Sequence, residues 1–130
     1  MKITNEELIK KAKYVVKVRK PSDNVSMGDV GCALITEKGN LYLGISIDCC
    51  SGIGFCAEAG AIAAMVTKKE YKIKKIVAVS EDGKVLPPCG RCREFIYQID
   101  KSNLNTDVII RKNKVVKLKA LLPERWQERL

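Results

Sequence analysis

The sequence contains no histidine. That absence excludes Ser–His and Cys–His nucleophilic mechanisms, and it excludes every metal site that needs an imidazole ligand. Acid–base chemistry must therefore use Glu, Asp, Cys, Lys or Tyr. Aromatic residues make up only 5% of the chain, so a platform for stacking nucleic-acid bases is not evident. No apolar run approaches the ~20 residues of a membrane-spanning helix and no secretory signal is visible, so we expect a cytoplasmic protein with no membrane partner.

The chain has 130 residues, of which 46% are hydrophobic, and this predicts one domain over residues 1–130 with one core. The formal net charge is +9. The Lys and Arg residues concentrate in three separate groups, at residues 10–20, 68–75 and 111–119. We interpret them as a solvated, lysine-rich surface, and we expect no nucleic-acid partner because base-stacking aromatics are few.

The spacing of apolar residues alternates between the helical and the strand period. Thr4 and Glu7 form a capping box that starts an amphipathic first helix, and Pro21 marks its end. A loop follows over residues 22–28. The second helix has small or apolar residues all round and is expected to be buried on all sides. We predict helices from residue 4, over residues 55–67 and from residue 90, and strands over residues 30–35, 41–48, 73–79, 107–111 and 115–118.

This order of elements predicts an α/β fold with a mixed β-sheet and helices on both faces. The strands over residues 30–35 and 41–48 are separated by a short turn and should form a hairpin. Along the second of them, Ser46 and Asp48 share the face opposite the leucines. In the third helix, Cys92, Phe95 and Ile96 fall on one face.

Two short motifs carry the chemistry. Cys56 and Glu58 form C-x-E at the start of the second predicted helix, and Cys89 and Cys92 form P-C-x-x-C at the start of the third. Helix N-termini carry free N–H groups and partial positive charge, which favour thiolates. Three thiolates can hold one Zn²⁺ ion and leave its fourth position open. The sequence therefore predicts a zinc centre made of Cys56, Cys89 and Cys92.

Glu58 and the nearby arginines complete this centre. A carboxylate two residues after the first thiolate can move protons to and from a zinc-bound water, so Glu58 is the candidate catalytic residue. Three thiolates and Zn²⁺ sum to a net charge of −1, which weakens the ion as a Lewis acid. We expect Arg91 to balance this charge, with Arg93 as the second candidate.

Two readings of the cysteines compete with a catalytic site. Cys49 or Cys50 can supply a fourth ligand and close a purely structural zinc site. The C-x-x-C pair can instead be a redox motif. Neither explains Glu58, so the catalytic interpretation is preferred. Cys32, inside an apolar run, reads as a small core residue.

The C-x-E and P-C-G-x-C-R elements resemble those of the cytidine deaminase superfamily, specifically its small three-cysteine nucleoside deaminases. The resemblance covers nearly the whole chain. It implies a five-stranded mixed β-sheet sandwiched between helices, and a homotetramer whose active sites are shared between subunits. The implied reaction is zinc-dependent hydrolytic deamination of cytidine or deoxycytidine to the uracil nucleoside, in pyrimidine salvage. In it, Glu58 shuttles protons while a zinc-held hydroxide attacks C4 of the base.

The chain departs from that family at three places. Cytidine deaminases usually carry Asn-x-Glu, which holds the ribose, where residues 46–48 read Ser-Ile-Asp. The family's Phe near Gly28 is absent, as is its Arg at position 59. The Cys-Gly-Arg-Cys form resembles blasticidin S deaminase, so a blasticidin S-type activity and a structural-zinc RNA-binding module remain alternatives. The expected substrate contacts are Ser46, Asp48, Ala57 and Trp126.

Trp126 is the only tryptophan and lies in a short C-terminal tail. One expectation is that it packs on the domain's own core. The other is that the tail crosses to a neighbouring subunit and roofs its pyrimidine pocket, as C-terminal aromatics of related deaminases do.

Overall fold

The structure is a computed structural model that describes residues 2–129, with the backbone alone described for the last of these. Four α-helices and seven β-strands occur in this part of the chain. In chain order they are α1 (Asn5–Tyr14), β1 (Arg19–Ser22), β2 (Val25–Thr36), β3 (Leu41–Cys49), α2 (Ala57–Thr67), β4 (Ile73–Ser80), β5 (Val85–Leu86), α3 (Gly90–Ile99), β6 (Asp107–Arg111), β7 (Lys114–Lys117) and α4 (Leu118–Leu121). Among residues 2–129, no helix is long and apolar enough to cross a membrane.

The strands form one mixed sheet. β2 pairs antiparallel with β3 on one side and with β4 on the other, so the predicted hairpin is confirmed. β4 and β6 run parallel, and β6 pairs antiparallel with β7. The expectation of five strands is met by β3, β2, β4, β6 and β7, but the sheet contains seven. The two extra strands are short: β1 adds to the beginning of β2, and β5 adds to the end of β4.

Helices cover both faces of the sheet, as predicted. α1 packs on one face through Leu8 and Ala12, which are fully buried against a cluster that includes Val77 and Ile109. Its first turn is closed by the predicted capping box between Thr4 and Glu7. On the other face, α2, α3 and α4 bury a second cluster. Its fully buried members include Leu34, Ile62, Met65, Ile96 and Leu118.

The segment between α1 and β2 differs from the prediction. The first helix ends at Tyr14, well before Pro21, and the predicted loop over residues 22–28 is largely strand. Pro21 lies inside β1, which forms an edge of the sheet next to β2. Proline is tolerated there because an edge strand has backbone N–H groups that need no partner.

α2 is not buried on all sides, as its composition suggested. Ala63 and Ala64 are exposed, and so is Phe95 of α3, which was expected to lie on the buried face with Cys92 and Ile96. Small side chains made every face of α2 look like core, but one face of the helix lies on the surface of the single chain.

The other face of α2 lies unusually close to β3, and this contact positions the start of the helix. A Cβ atom added to Gly44 would lie 2.2 Å from the backbone nitrogen of Ala61 and 2.5 Å from the carbonyl oxygen of Ala57. Only glycine at this position allows the strand and the helix to approach so closely. The first turn of α2 is therefore fixed against the sheet.

Candidate active site

Three thiols meet where α2 and α3 begin. Cys56 is the N-cap residue of α2, Cys89 is the N-cap residue of α3, and Cys92 lies in the first turn of α3. The Sγ atoms of Cys56 and Cys89 are 3.4 Å apart, and all three Sγ atoms lie within 4.8 Å of one another. Zn–S bonds of about 2.3 Å in a tetrahedral site require sulfur atoms roughly 3.8 Å apart. The three thiols therefore fit one zinc ion, and they are free cysteines.

The surroundings of the thiols differ in how they affect ionisation. Burial raises the pKa of the Cys56 and Cys92 thiols. Partial burial also acts on Cys89, but the backbone N–H of Cys92 and the neighbouring thiols outweigh it, and the pKa of Cys89 is lowered. A coordinated cation favours the thiolate form of all its ligands. Three thiolate sulfur atoms are soft ligands, which zinc binds well.

Cys49 and Cys50 lie outside this cluster. Cys49 ends β3, and the Cys50 thiol donates a hydrogen bond to Oδ1 of Asn24 at 3.7 Å. Among the described residues, the group of metal-binding side chains contains only the three predicted cysteines. A four-cysteine structural zinc site is therefore not formed.

Glu58 stands in the first turn of α2, two residues after Cys56. It is only 5% exposed, and burial is the main cause of the raised pKa of its carboxyl group. Glu58, Cys56 and Cys89 line one cavity of about 370 Å³. Small-molecule sites commonly have volumes of about 300–1,000 Å³. The structure thus places a buried carboxyl group and two of the thiols on the wall of a ligand-sized cavity.

This geometry agrees with the comparisons to known proteins. Over residues 3–106 the chain matches the family described as the cytidine and deoxycytidylate deaminase zinc-binding region. The chain belongs to this family. It is 30% identical over 96 residues to the cytidine deaminase of Mycobacterium tuberculosis, with 73% of this chain and 70% of that protein covered. It is 34% identical over 101 residues to the cytidine deaminase of Mycoplasma genitalium, with 75% of each covered.

Solved deaminase structures share the fold. The crystal structure of the cytidine deaminase from Mycobacterium leprae superposes with a TM-score of 0.78 at 26% identity, covering 95% of this chain and 100% of that one. The cytidine deaminase from Burkholderia pseudomallei gives a TM-score of 0.77 at 25% identity with the same coverage. The predicted superfamily, α/β fold and zinc cofactor are confirmed.

The two arginines of the deaminase motif have different surroundings. Arg91 lines the cavity, and its Nη1 donates to the carbonyl oxygen of Gly54 at 3.4 Å. Arg93 points elsewhere: its Nε donates to the carbonyl oxygen of Pro88 at 2.8 Å and its Nη1 to that of Leu121 at 3.4 Å. Arg93 thus ties the P-C-x-x-C loop to the end of α4, and Arg91 is the arginine that faces the site.

Three of the four expected substrate contacts line the cavity. Ser46, Asp48 and Ala57 are on its wall, whereas Trp126 is not among the lining residues. Trp126 is 65% exposed, so the expectation that it packs on the domain's own core is wrong. Within a single chain it is a surface residue.

The structure leaves no room for a side chain at Gly28, the residue near which the family's Phe is absent. Gly28 has φ +86°, and a Cβ atom there would lie 2.0 Å from the carbonyl oxygen of Lys17. The segment that leads into β1 occupies the space, and the Lys17 N–H donates to the carbonyl oxygen of Gly28 at 2.9 Å. A side chain at this position is therefore excluded.

Asp29 and Phe55 are among the cavity-lining residues that the sequence analysis missed. Phe55 forms an isolated bridge with Ile47 just before the zinc motif, and it is 36% exposed. Asp29 was placed next to a predicted loop, where an acidic residue is ordinary. Its position in an irregular stretch of β2 could not be read from the spacing of apolar residues.

Proposed function

We propose that this chain catalyses the zinc-dependent hydrolysis of cytidine and deoxycytidine to uridine or deoxyuridine and ammonia. The observation that carries the proposal is the buried Glu58 carboxyl group on the wall of the same cavity as the Cys56 and Cys89 thiols. A structural zinc site needs neither the cavity nor the buried acid. Membership of the deaminase family and the relatives named cytidine deaminases support the same reaction.

Cys56, Cys89 and Cys92 would hold the zinc ion. Zinc, when bound, supplies Lewis acidity that lowers the pKa of water, so that water can act as a nucleophile near neutral pH. The chain itself fixes the donors on two helix N-termini, and the contact between Gly44 and α2 holds one of those ends against the sheet.

Glu58 would move the protons. Addition of water to C4 of the cytosine ring requires one proton to leave the attacking oxygen and one to reach ring N3. A second transfer to the exocyclic amino group lets it depart as ammonia. One carboxyl group can serve both transfers if its pKa lies close to the working pH. Burial of Glu58 raises its pKa in that direction.

The other lining residues would hold the substrate. Ala57 is fully buried, so it offers its backbone rather than its side chain. As the first residue of α2, it has an N–H group with no partner within the helix, and such a group can donate to a ring carbonyl. Ser46 and Asp48 lie on the wall contributed by β3 and would face the ribose.

Arg91 would offset the negative charge of three thiolates around a divalent ion. Its side chain lines the cavity. The hydrogen bond to the carbonyl oxygen of Gly54 engages one nitrogen of the guanidinium group, at 3.4 Å, and the group has five N–H donors in all.

We further propose a homotetramer with shared active sites. Phe55 and Phe95 are 36% and 38% exposed, and both line a depression whose floor includes Ala59 and Ala63 of α2. This apolar surface, formed by α2 and α3, suits contact with a second copy. It lies beside the cavity, since Phe55 and Arg91 line both. In such an assembly the exposed Trp126 would reach a neighbouring pocket.

Cytoplasmic pyrimidine salvage is the role that fits this reaction. The relatives carry the name cytidine deaminase, which favours nucleoside deamination over a blasticidin S-type activity. Few aromatic residues, and a cavity of small-molecule size beside the zinc ligands, disfavour an RNA-binding module.

Purified protein incubated with cytidine or deoxycytidine tests the proposal. Ultraviolet absorbance should report conversion of the cytosine ring, with one ammonia released per nucleoside. Removal of zinc with a chelator should abolish turnover, and added zinc should restore it. Zinc-loaded protein that turns over neither nucleoside would contradict the proposed function.

A further inference from the structure

An irregularity in β2 brings Asp29 to the cavity. Met27 pairs with Ile47 and Gly31 pairs with Ile45, so residues 28–30 of β2 stand opposite Ser46 alone. Extra residues in one strand of a pair re-aim the side chains of that strand. Here the extra residues turn Asp29 onto the same cavity wall as Ser46 and Asp48.

A buried hydroxyl group holds the Asp29 carboxylate in place. Ser46 is 7% exposed, and its Oγ donates to Oδ1 of Asp29 at 2.5 Å. The same Oγ accepts from the backbone N–H of Val30 at 3.1 Å. A serine hydroxyl has a single proton to donate, and here Asp29 receives it. Ser46 therefore orients Asp29 and has no donor left for a substrate.

The charged side chains that line the cavity are three acids and one base. Asp29, Asp48 and Glu58 contribute carboxyl groups, and Arg91 contributes the single guanidinium group. Glu58 stands by the thiols, whereas Asp29 and Asp48 come from β2 and β3. The wall formed by these two strands thus presents carboxylate oxygens that accept hydrogen bonds and repel anions.

We infer that Asp29 is a specificity-determining residue of this site. Its carboxylate, oriented by Ser46, accepts a hydrogen bond from a sugar hydroxyl group and acts together with Asp48. It supplies the polar contact that the sequence expectation assigned to Ser46. The added negative charge also discriminates against substrates that carry a phosphate on the sugar. The inference rests on the proposed deamination of cytosine nucleosides.

The test compares wild-type protein with Asp29→Asn, which keeps the shape of the side chain and an acceptor for Ser46 but removes the charge. Cytidine and the 3′ and 5′ isomers of cytidine monophosphate serve as substrates. We expect KM for cytidine to rise about tenfold, because a hydrogen bond to a charged acceptor is lost, while kcat and zinc content stay close to wild type. The ratio of kcat/KM for cytidine to kcat/KM for at least one of the two monophosphates should fall by about tenfold.

Asp23→Asn is the matched control. Asp23 is an exposed residue in the turn between β1 and β2, and it is not among the residues that line the cavity. This variant loses the same charge within the same segment, and its KM and substrate preference should equal those of wild type.

Binding of the product gives a readout that does not depend on turnover. By calorimetry, Asp29→Asn should weaken uridine binding about tenfold. Ser46→Ala should weaken it in the same direction, because Asp29 then loses the donor that orients it. A role of Asp29 in folding alone would lower the unfolding temperature without changing uridine affinity.

The outcomes separate this inference from the proposed function. Wild-type protein that deaminates cytidine, together with an Asp29→Asn variant of unchanged KM, uridine affinity and monophosphate discrimination, would overturn the role of Asp29 and leave the function intact. Wild-type protein that does not deaminate cytidine would overturn both.

Discussion

The N-cap residues of α2 and α3 have side chains that suit metal binding better than helix capping. A helix N-cap is usually Ser, Thr, Asp or Asn, whose side chain bonds a free backbone N–H. Thr4 does this at the start of α1. Cys56 and Cys89 make no such capping bond. Both helices thus begin with a residue suited to a metal rather than to the helix.

This arrangement predicts a trade between stability and metal binding. Cys56→Ser should abolish stoichiometric zinc binding, yet leave the metal-free protein as stable as wild type or up to about 1 kcal/mol more stable, because serine is a better N-cap. Metal analysis and denaturant unfolding measure the two effects. Cys50→Ser is the control and should retain one zinc per chain. Loss of zinc from Cys50→Ser would show that the site uses a ligand outside the cluster of Cys56, Cys89 and Cys92.

Arg91 provides a second prediction at the same scale. Arg91→Ala should weaken zinc binding or lower kcat by about tenfold or more, since the charge of the three thiolates is then unbalanced. Chelator competition and steady-state kinetics measure the two quantities. Arg111→Ala removes the same charge from the end of β6. Arg111 is not among the residues that line the cavity, so this variant should change neither quantity. Equal zinc affinity and equal kcat in the two variants would show that Arg91 does not balance the charge of the three thiolates.

Among the secondary-structure elements, the contact between β3 and α2 is the one on which the site depends. Gly44 and Gly60 face each other across it, but they are not equivalent. A Cβ atom on Gly44 would meet backbone at 2.2 Å, whereas one on Gly60 would lie 3.4 Å from its nearest neighbours. The strand position has no room for a methyl group, and the helix position has just enough.

Gly44→Ala should therefore destabilise the protein by about 2–3 kcal/mol, towards the upper end of the usual cost of overpacking, because the clash is with backbone. It should also displace the N-terminal turn of α2 that carries Glu58. Gly60→Ala should be neutral or stabilising by up to about 1 kcal/mol, because alanine is the better helix former. Chemical denaturation of both variants provides the comparison. Equal losses of stability would mean that the close approach of strand and helix is not the cause.

The elements also show what can be read from the sequence. Strands with a clear apolar pattern, such as β3 and β4, were predicted to within one residue at each end. The start of α1 and the placing of Cys56 and Cys89 at helix N-termini were also predicted, but the end of α1 was not. β1 and β5 were missed because two to four residues on the margin of a sheet bury too little to leave a pattern. The exposed face of α2 was mistaken for core because alanine and glycine are common both in a domain interior and on its surface.

Asp29 marks the limit of sequence reasoning at the site. Its place on the cavity wall depends on an irregular register between β2 and β3, and its orientation depends on Ser46, seventeen positions along the chain. Short-range patterns carry no information about such a pairing. The metal ligands, by contrast, follow from two local motifs.

For the whole molecule, the exposed apolar surface of α2 and α3 predicts self-association. Phe95→Ser should shift the purified protein from a tetramer towards smaller species, as measured by sedimentation or light scattering. Tyr14→Ser is the control: Tyr14 is 84% exposed at the end of α1, and its loss should leave the assembly unchanged. A wild-type protein that is monomeric at micromolar concentration would contradict the tetramer.

Shared active sites add a kinetic consequence to this prediction. If Trp126 covers a neighbouring pocket, Phe95→Ser and Trp126→Ala should both raise KM for cytidine while zinc stays bound. If the Trp126→Ala variant is a tetramer and its KM for cytidine equals that of wild type, then Trp126 does not contact the substrate.

The most direct test of the account is the turnover of cytidine by Glu58→Gln compared with wild type, with zinc content measured on the same samples. Glutamine preserves the size of the buried side chain but cannot exchange the protons that deamination requires. Both proteins should hold one zinc per chain, and kcat should be about 10²–10⁴-fold lower in the variant, which is the usual contribution of a general acid–base group. A zinc-loaded Glu58→Gln protein that deaminates cytidine at close to the wild-type rate would contradict it.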